Sequence, residues 1–133
     1  MLVGLAAVLG HTFTPWLKFK GGKGVATGLG VAIALYQVWI LIPLTVFLLA
    51  LGISRMVSLS SIIAAITLAL VGFLAAPPHS DFLYVLTAQW RLWPFGILAL
   101  LLVLYTHRSN IKRILNGTEN KVSFGRKRSS EAQ

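Results

Sequence analysis

Between Lys23 and Arg55 the chain runs through positions 24–54, 31 residues, without one Asp, Glu, Lys, Arg or His. About 20 apolar residues suffice to cross the roughly 30 Å hydrocarbon layer of a bilayer. This stretch therefore exceeds one span and falls short of two full ones. The remainder agrees with residence in a membrane. Of 133 residues, 56% are hydrophobic and 11% charged, with a mean hydropathy of +0.80. A soluble domain of this size could not bury that much apolar surface.

The arithmetic of the uncharged stretch decides the expected topology. As one helix it would be ~46 Å long. Its only polar break is Tyr36-Gln37, with Trp39 beside it suited to an interface and Pro43 able to kink a helix without ending it. Further apolar segments lie at 57–76, before the break Pro77-Pro78-His79-Ser80-Asp81, and at 90–106, which opens with Trp90, Arg91 and Trp93 and closes at Tyr105. A turn near Gln37 puts Lys18, Lys20, Lys23, Arg55 and the whole tail on one side. That is eleven of the twelve basic residues, against Arg91 alone. Cytoplasmic loops carry such an excess. The expected fold is an all-α, polytopic membrane helical bundle. It has a partial helix at the N-terminus, four crossings (~24–37, ~38–54, ~57–76 and ~90–106) and a cytoplasmic C-terminus. A membrane-embedded domain, 1–121, precedes a basic tail, 122–133.

Chemistry is concentrated where polar segments meet that face. The loop Gly10-His11-Thr12-Phe13-Thr14-Pro15-Trp16-Leu17-Lys18-Phe19-Lys20-Gly21-Gly22-Lys23-Gly24 combines three lysines, a histidine and clustered glycines. Gly21-Gly22 can take positive φ and turn backbone N–H groups toward one centre, and Lys23 adds an ammonium. The following helix aims its positive end at the same place. That makes a seat for phosphate, although a loop whose lysines only set orientation has the same composition, and GxxxxGK[ST] is absent. Ser58, Ser60 and Ser61 open a helix on this face, where one could act as an N-cap. His107 and Asn110 begin the polar exit of the last span. The convergence points to an anionic headgroup or phosphorylated small molecule, with a lipid chain between helices. Gly24-xxx-Gly28 also reads as a helix-packing pair.

Other classes are excluded. There is no cysteine, hence no thiol chemistry. Histidines and acids show no metal-ligand or paired-carboxylate spacing, and no GxSxG elbow occurs. The formal charge of +9 could suggest nucleic acid. Seven of the basic residues, however, follow Thr106 beside hydrophobic spans, which fits a tail on an anionic membrane surface.

The run from Leu9 through the loop to Thr27 closely resembles the bacterial acyl-phosphate:glycerol-3-phosphate acyltransferases (PlsY type). Ser54-Arg55-Met56-Val57-Ser58-Leu59 agrees in order, as does His107-Arg108-Ser109-Asn110-Ile111-Lys112-Arg113-Ile114-Leu115-Asn116-Gly117-Thr118-Glu119-Asn120-Lys121. The resemblance implies a seven-helix integral membrane enzyme of phospholipid biosynthesis in the bacterial inner membrane. Such an enzyme moves a fatty acyl group from acyl phosphate to the 1-hydroxyl of glycerol 3-phosphate, giving lysophosphatidic acid and needing no cofactor or metal. By match, Gly21, Gly22, Lys23 and Lys20 would bind substrate phosphate. Ser58, His107 and Asn110 would be catalytic, with His11, Thr27, Arg55 and Glu119 in support. Acyl phosphate is already activated, so no covalent nucleophile is required. The proton of the attacking hydroxyl could pass to His107 or to a substrate phosphate oxygen.

The resemblance also implies an earlier Ser/Gly/Asn-rich motif ending in Gly-Ala-Thr-Asn, and helices before it, that have no counterpart in these residues. The expectation is a chain that inserts but transfers acyl groups only when completed by an N-terminal portion or partner subunit. The rival classes are an inactive or scaffolding membrane protein and a small anion transporter. A transporter would place an ionisable or broken-helix site near midplane, where 38–54 and 57–76 offer only Pro43.

Overall fold

A computed structural model describes residues 2–12, 23–74 and 92–123, and all regular structure among them is helical. The elements are α1 (Leu2–Thr12), α2 (Val25–Tyr36), a 3₁₀ turn (Gln37–Ile40), α3 (Leu41–Ser54), α4 (Val57–Leu74), α5 (Leu92–Thr106) and α6 (Arg108–Leu115). The break Pro77–Asp81, Trp90, Arg91 and the Arg126-Lys127-Arg128 cluster lie outside the described residues, as do Lys18, Lys20, Gly21 and Gly22.

The uncharged stretch goes out and comes back. Lys23 is tied to Asn110 on α6, and the carbonyl of Arg55 accepts from the N–H of Val122, 2.7 Å away, just beyond α6. Both ends of the stretch therefore sit at one end of the molecule. A straight helix over Val25–Ser54, 30 residues, would hold its ends ~45 Å apart. The reversal comes at Gln37, which takes φ 49 and ψ −121, followed by the four-residue 3₁₀ turn. A side-chain-bearing residue seldom adopts positive φ. Tyr36, 1% exposed, and Ile40, 7% exposed, anchor the turn from both sides.

Helix lengths follow from this hairpin. α4, 18 residues or ~27 Å, matches the apolar thickness of a bilayer by itself. α2 and α3, with 12 and 14 residues, are shorter arms of ~18 and ~21 Å. α5 bends by 64° at His107 into α6. That last helix is amphipathic: Arg108, Lys112 and Arg113 interrupt its apolar residues, which suits an interface. Around the bundle Leu48, Leu49, Ile53, Leu70, Phe73 and Leu101 stand exposed. Only a lipid or protein surround makes such a surface favourable.

The core is built on Tyr36. Its ring packs against Phe95 with centroids 6.4 Å apart, and its hydroxyl donates to the Leu92 carbonyl at 2.8 Å. Ala32, Ile40, Leu68 and Val71 complete the cluster. Glycines let α4 and α5 approach: a Cβ on Gly96 would lie 2.8 Å from the Ala69 Cα, and one on Gly72 3.1 Å from the Leu92 carbonyl oxygen. Helix α1 rests on α2 in the same way. Gly24, at φ 70, faces Thr12 and Val8. A Cβ on Gly28, the other half of the expected packing pair, would meet nothing within 4 Å.

Candidate functional site

Two cavities meet at the end where the polar segments gather. The larger, about 550 Å³, is walled by His11, Lys23, Gly24, Ser58, His107, Asn110 and Glu119, among others. The smaller, about 170 Å³, runs down between α2, α3, α4 and α5, past Leu29, Pro43, Phe47, Leu68 and Leu102. Lys23, Gly24, Val25 and Ser61 border both. A polar chamber thus opens onto an apolar slot at one ring of residues.

Helix α2 begins at this ring. Its first backbone bond runs from the Gly28 N–H to the Gly24 carbonyl, and no side chain caps its N-terminus. The N–H groups of Val25, Ala26 and Thr27 therefore have no acceptor within the helix. Val25 and Ala26 line the polar chamber. Amides with no acceptor among the described residues, the helix dipole and the Lys23 ammonium together favour an anion there.

One hydrogen-bonded network organises the wall. Lys23 Nζ donates to Asn110 Oδ1 at 2.8 Å, and Asn110 Nδ2 donates to Glu119 Oε1 at 2.7 Å. Ser58 Oγ donates to the same carboxylate oxygen at 2.6 Å, while Arg113 Nε bonds Oε2 at 2.8 Å. These bonds, those from Ser58 and Asn110 foremost, hold the Glu119 carboxyl down at about 2. Glu119 stays ionised and fixes the Asn110 amide, so its Oδ1 faces the lysine.

His107 sits where α5 ends, 2% exposed. Its Nδ1 lies 2.9 Å from the Val103 carbonyl, which can only accept, so Nδ1 carries the proton. Burial lowers its pKa from 6.5. Neutral imidazole then leaves Nε2 with a lone pair, and among the described residues that atom has no partner.

The expected site residues sort clearly. Lys23, Ser58, His107, Asn110, Glu119 and His11 come together around the chamber. Thr27 lines neither cavity. Arg55 contributes its carbonyl to Val122 and closes α3 at φ 56, and its side chain does not reach the chamber wall. None of the three serines caps α4: Ser60 and Ser61 donate back to the Met56 and Val57 carbonyls, and Ser58 serves Glu119. Instead Ser54 accepts from the Met56 N–H just before α4. Sequence reasoning had Ser61 only as one of three serines opening α4, not at the junction of the cavities, and passed over Arg113 as the partner of Glu119 and the wall formed by Asn120, Lys121 and Val122. A lone acid amid basic residues was the available signal for Arg113.

The family model described as glycerol-3-phosphate acyltransferase matches residues 1–117. The chain belongs to the glycerol-3-phosphate acyltransferase family. It is 42% identical to the glycerol-3-phosphate acyltransferase of Chlorobaculum tepidum, over 96% of this chain and 60% of that protein. The Chlorobium phaeobacteroides protein of the same name is 39% identical, over 95% and 60%. The crystal structure of PlsY, an integral membrane glycerol 3-phosphate acyltransferase, in its glycerol 3-phosphate form superposes with a TM-score of 0.77 at 38% identity. That match covers 90% of this chain and 55% of the other. The lysophosphatidic acid form gives 0.74. This family member is thus an all-helical membrane protein that spans about 60% of the length of the curated relatives it matches.

Proposed function

We propose that the polar chamber transfers a fatty acyl group from acyl phosphate to the 1-hydroxyl of glycerol 3-phosphate, releasing lysophosphatidic acid and phosphate. The observation that carries this reading is the meeting of the two cavities at Lys23, Gly24, Val25 and Ser61. A molecule with a long apolar chain and a phosphoryl head fits that junction, chain in the slot and phosphate beside the lysine and the α2 amides. The names of the relatives, and the two ligand forms in which PlsY has been solved, support the same substrates.

The steps follow from the groups present. The acceptor hydroxyl oxygen attacks the acyl carbonyl carbon, the new ester C–O bond forms, and the bond to the phosphate oxygen breaks. The hydroxyl proton passes to Nε2 of His107. Lys23 stabilises the charge that grows on the departing phosphate. Asn110 holds Lys23, and Glu119, with Ser58 and Arg113, holds Asn110. Gly21, Gly22 and Lys20 belong to the same phosphate-binding loop in this reading, and His11 stands at its entrance. An N-terminal portion or partner subunit completes the site.

In this reading the polar face is cytoplasmic, which the one-sided distribution of Lys and Arg supports, and the membrane is the bacterial inner membrane, as the resemblance implies. The membrane-embedded unit is 1–121, with 122–133 as a basic tail. Direct transfer is tested by product analysis of the completed protein. Lysophosphatidic acid and phosphate should appear in equal amounts, with no acyl group trapped on Ser58. An acyl-serine intermediate would contradict the mechanism.

A further inference from the structure

Helix α6 presents two unlike faces. Asn110 is buried and carries the bond to Lys23, while Arg108, Lys112 and Leu115 are exposed. At about 100° per residue those three share one side of the helix, and Asn110, two positions after Arg108, lies nearly opposite them. The helix follows the last span at a bend of 64°, which turns it most of the way from the axis of α5 toward the membrane plane.

The exposed side carries charge that the chain cannot balance. Three acids stand against twelve Lys and Arg in the whole sequence. Glu119, the one acid among the described residues, is already held by Ser58, Asn110 and Arg113. Arg108 uses one of its N–H donors, from Nη1 to the Tyr105 carbonyl at 3.0 Å, and Lys112 uses none among the described residues. Four positions apart on a helix, the two Cβ atoms stand roughly 5–6 Å apart, so both cationic heads can close on one phosphate.

Apolar groups frame the same side. Leu115 is 81% exposed and Tyr105 54% exposed, and the Arg108 guanidinium carbon lies 4.6 Å from the centroid of the Tyr105 ring. A small anion in water would leave leucine and ring bare. A second copy of this face would set like charges against each other. An anionic phospholipid meets both demands, with its phosphate on the cations and its acyl region against Leu115 and Tyr105.

We infer that the outer face of α6 binds the headgroup of an anionic phospholipid of the surrounding bilayer between Arg108 and Lys112. The bound lipid pins α6 to the membrane surface and so steadies His107 at its start and Asn110 on its inner side. This site stands apart from the acyl-transfer reading, because the lipid here is a neighbour and neither donor nor acceptor.

The test uses the purified 133-residue chain in neutral detergent, with lipid retention read by native mass spectrometry and stability by thermal melting. Phosphatidylglycerol should bind more tightly than phosphatidylcholine and raise the melting temperature more. Arg108→Gln with Lys112→Gln should weaken phosphatidylglycerol binding about tenfold or more and abolish the extra stabilisation. Arg108→Lys, which keeps the charge, should retain most of the affinity, and Leu115→Ser should lower affinity for both lipids. An equal loss of charge in the tail, Arg126→Gln with Lys127→Gln, should change affinity by less than about twofold. The inference is overturned if the parent shows no preference for phosphatidylglycerol, if the preference survives in the folded double variant, or if the tail variant loses as much. Displacement of the lipid by inorganic phosphate or polyglutamate would mark a general anion site and overturn it too.

Discussion

Lys23 and Asn110, 87 positions apart in the chain, are joined by a 2.8 Å hydrogen bond that links the start of α2 to the helix following the last span. The bond does two things. It aims the ammonium into the chamber, and it ties the two ends of the bundle's polar face together. Asn110 has no freedom to rotate its amide, because Glu119 accepts from its other end.

The first prediction follows from that bond. In the completed protein, Lys23→Ala should lower acyl transfer at least about 100-fold, the scale expected for loss of a charge placed on a developing anion. Membrane insertion should be unaffected, and Lys18→Ala should cost far less. Asn110→Leu should fall between them through a misplaced Lys23, with a raised KM. Equal and mild effects of the two lysine variants would return the loop to a merely orienting role.

A second prediction concerns pH. Burial lowers the His107 pKa below 6.5, and the neutral form is the one that can take a proton at Nε2. Activity should therefore rise with pH along an acid limb whose midpoint lies below 6.5, and be flat above it. His107→Gln should remove that limb together with most of the rate. An unchanged acid limb in this variant would assign the proton to another group, such as a substrate phosphate oxygen.

Glu119 makes a separate contribution, to stability. Its carboxyl titrates at about 2 in the folded protein against 4.5 unfolded. A depressed carboxyl stabilises the fold fully above the unfolded value and loses that contribution as pH falls through the folded one. The melting temperature in detergent should thus decline between pH 4.5 and 2. Glu119→Gln should melt lower at neutral pH and show a shallower decline. Parallel curves for the parent and the variant would contradict the network.

The fold offers its own test. Ala69 backbone lies 2.8 Å from where a Gly96 Cβ would be, and a helix backbone cannot step aside as a flexible side chain can. Gly96→Ala should destabilise by about 1–3 kcal/mol. Tyr36→Phe should cost about 1 kcal/mol for the lost bond to the Leu92 carbonyl. Gly30→Ala, with nothing within 4 Å, should be near neutral. Melting in detergent reads all three.

Much of this was written in local sequence. The absence of charge over 24–54, the polar break at Tyr36-Gln37 and the one-sided lysines together predicted the reversal that the structure places at Gln37. Tyr36 itself looked like the polar flaw of an apolar run and is instead the centre of the core. Its hydroxyl is satisfied by a carbonyl 56 positions away, a partner no local pattern reveals. The same limit governed the site. Lys23, Ser58, His107 and Asn110 were visible as residue types beside a membrane face. The bonds that join them through Glu119 are long-range, and the chamber wall at 120–122 depends on a backbone contact to Arg55. Thr27 and Arg55 stand beside matched motifs in sequence, and neither lines the chamber or the slot.

The central claim, that these residues form an acyl-transfer site, is tested most directly by product formation. The chain is joined to the part of the Chlorobaculum tepidum relative that lies outside the match, purified, and supplied with palmitoyl phosphate and glycerol 3-phosphate. The account predicts lysophosphatidic acid from the joined protein and, with Lys23→Ala, a rate lower by at least about 100-fold. A correctly inserted joined protein that makes no lysophosphatidic acid, or one whose rate survives Lys23→Ala, would contradict it.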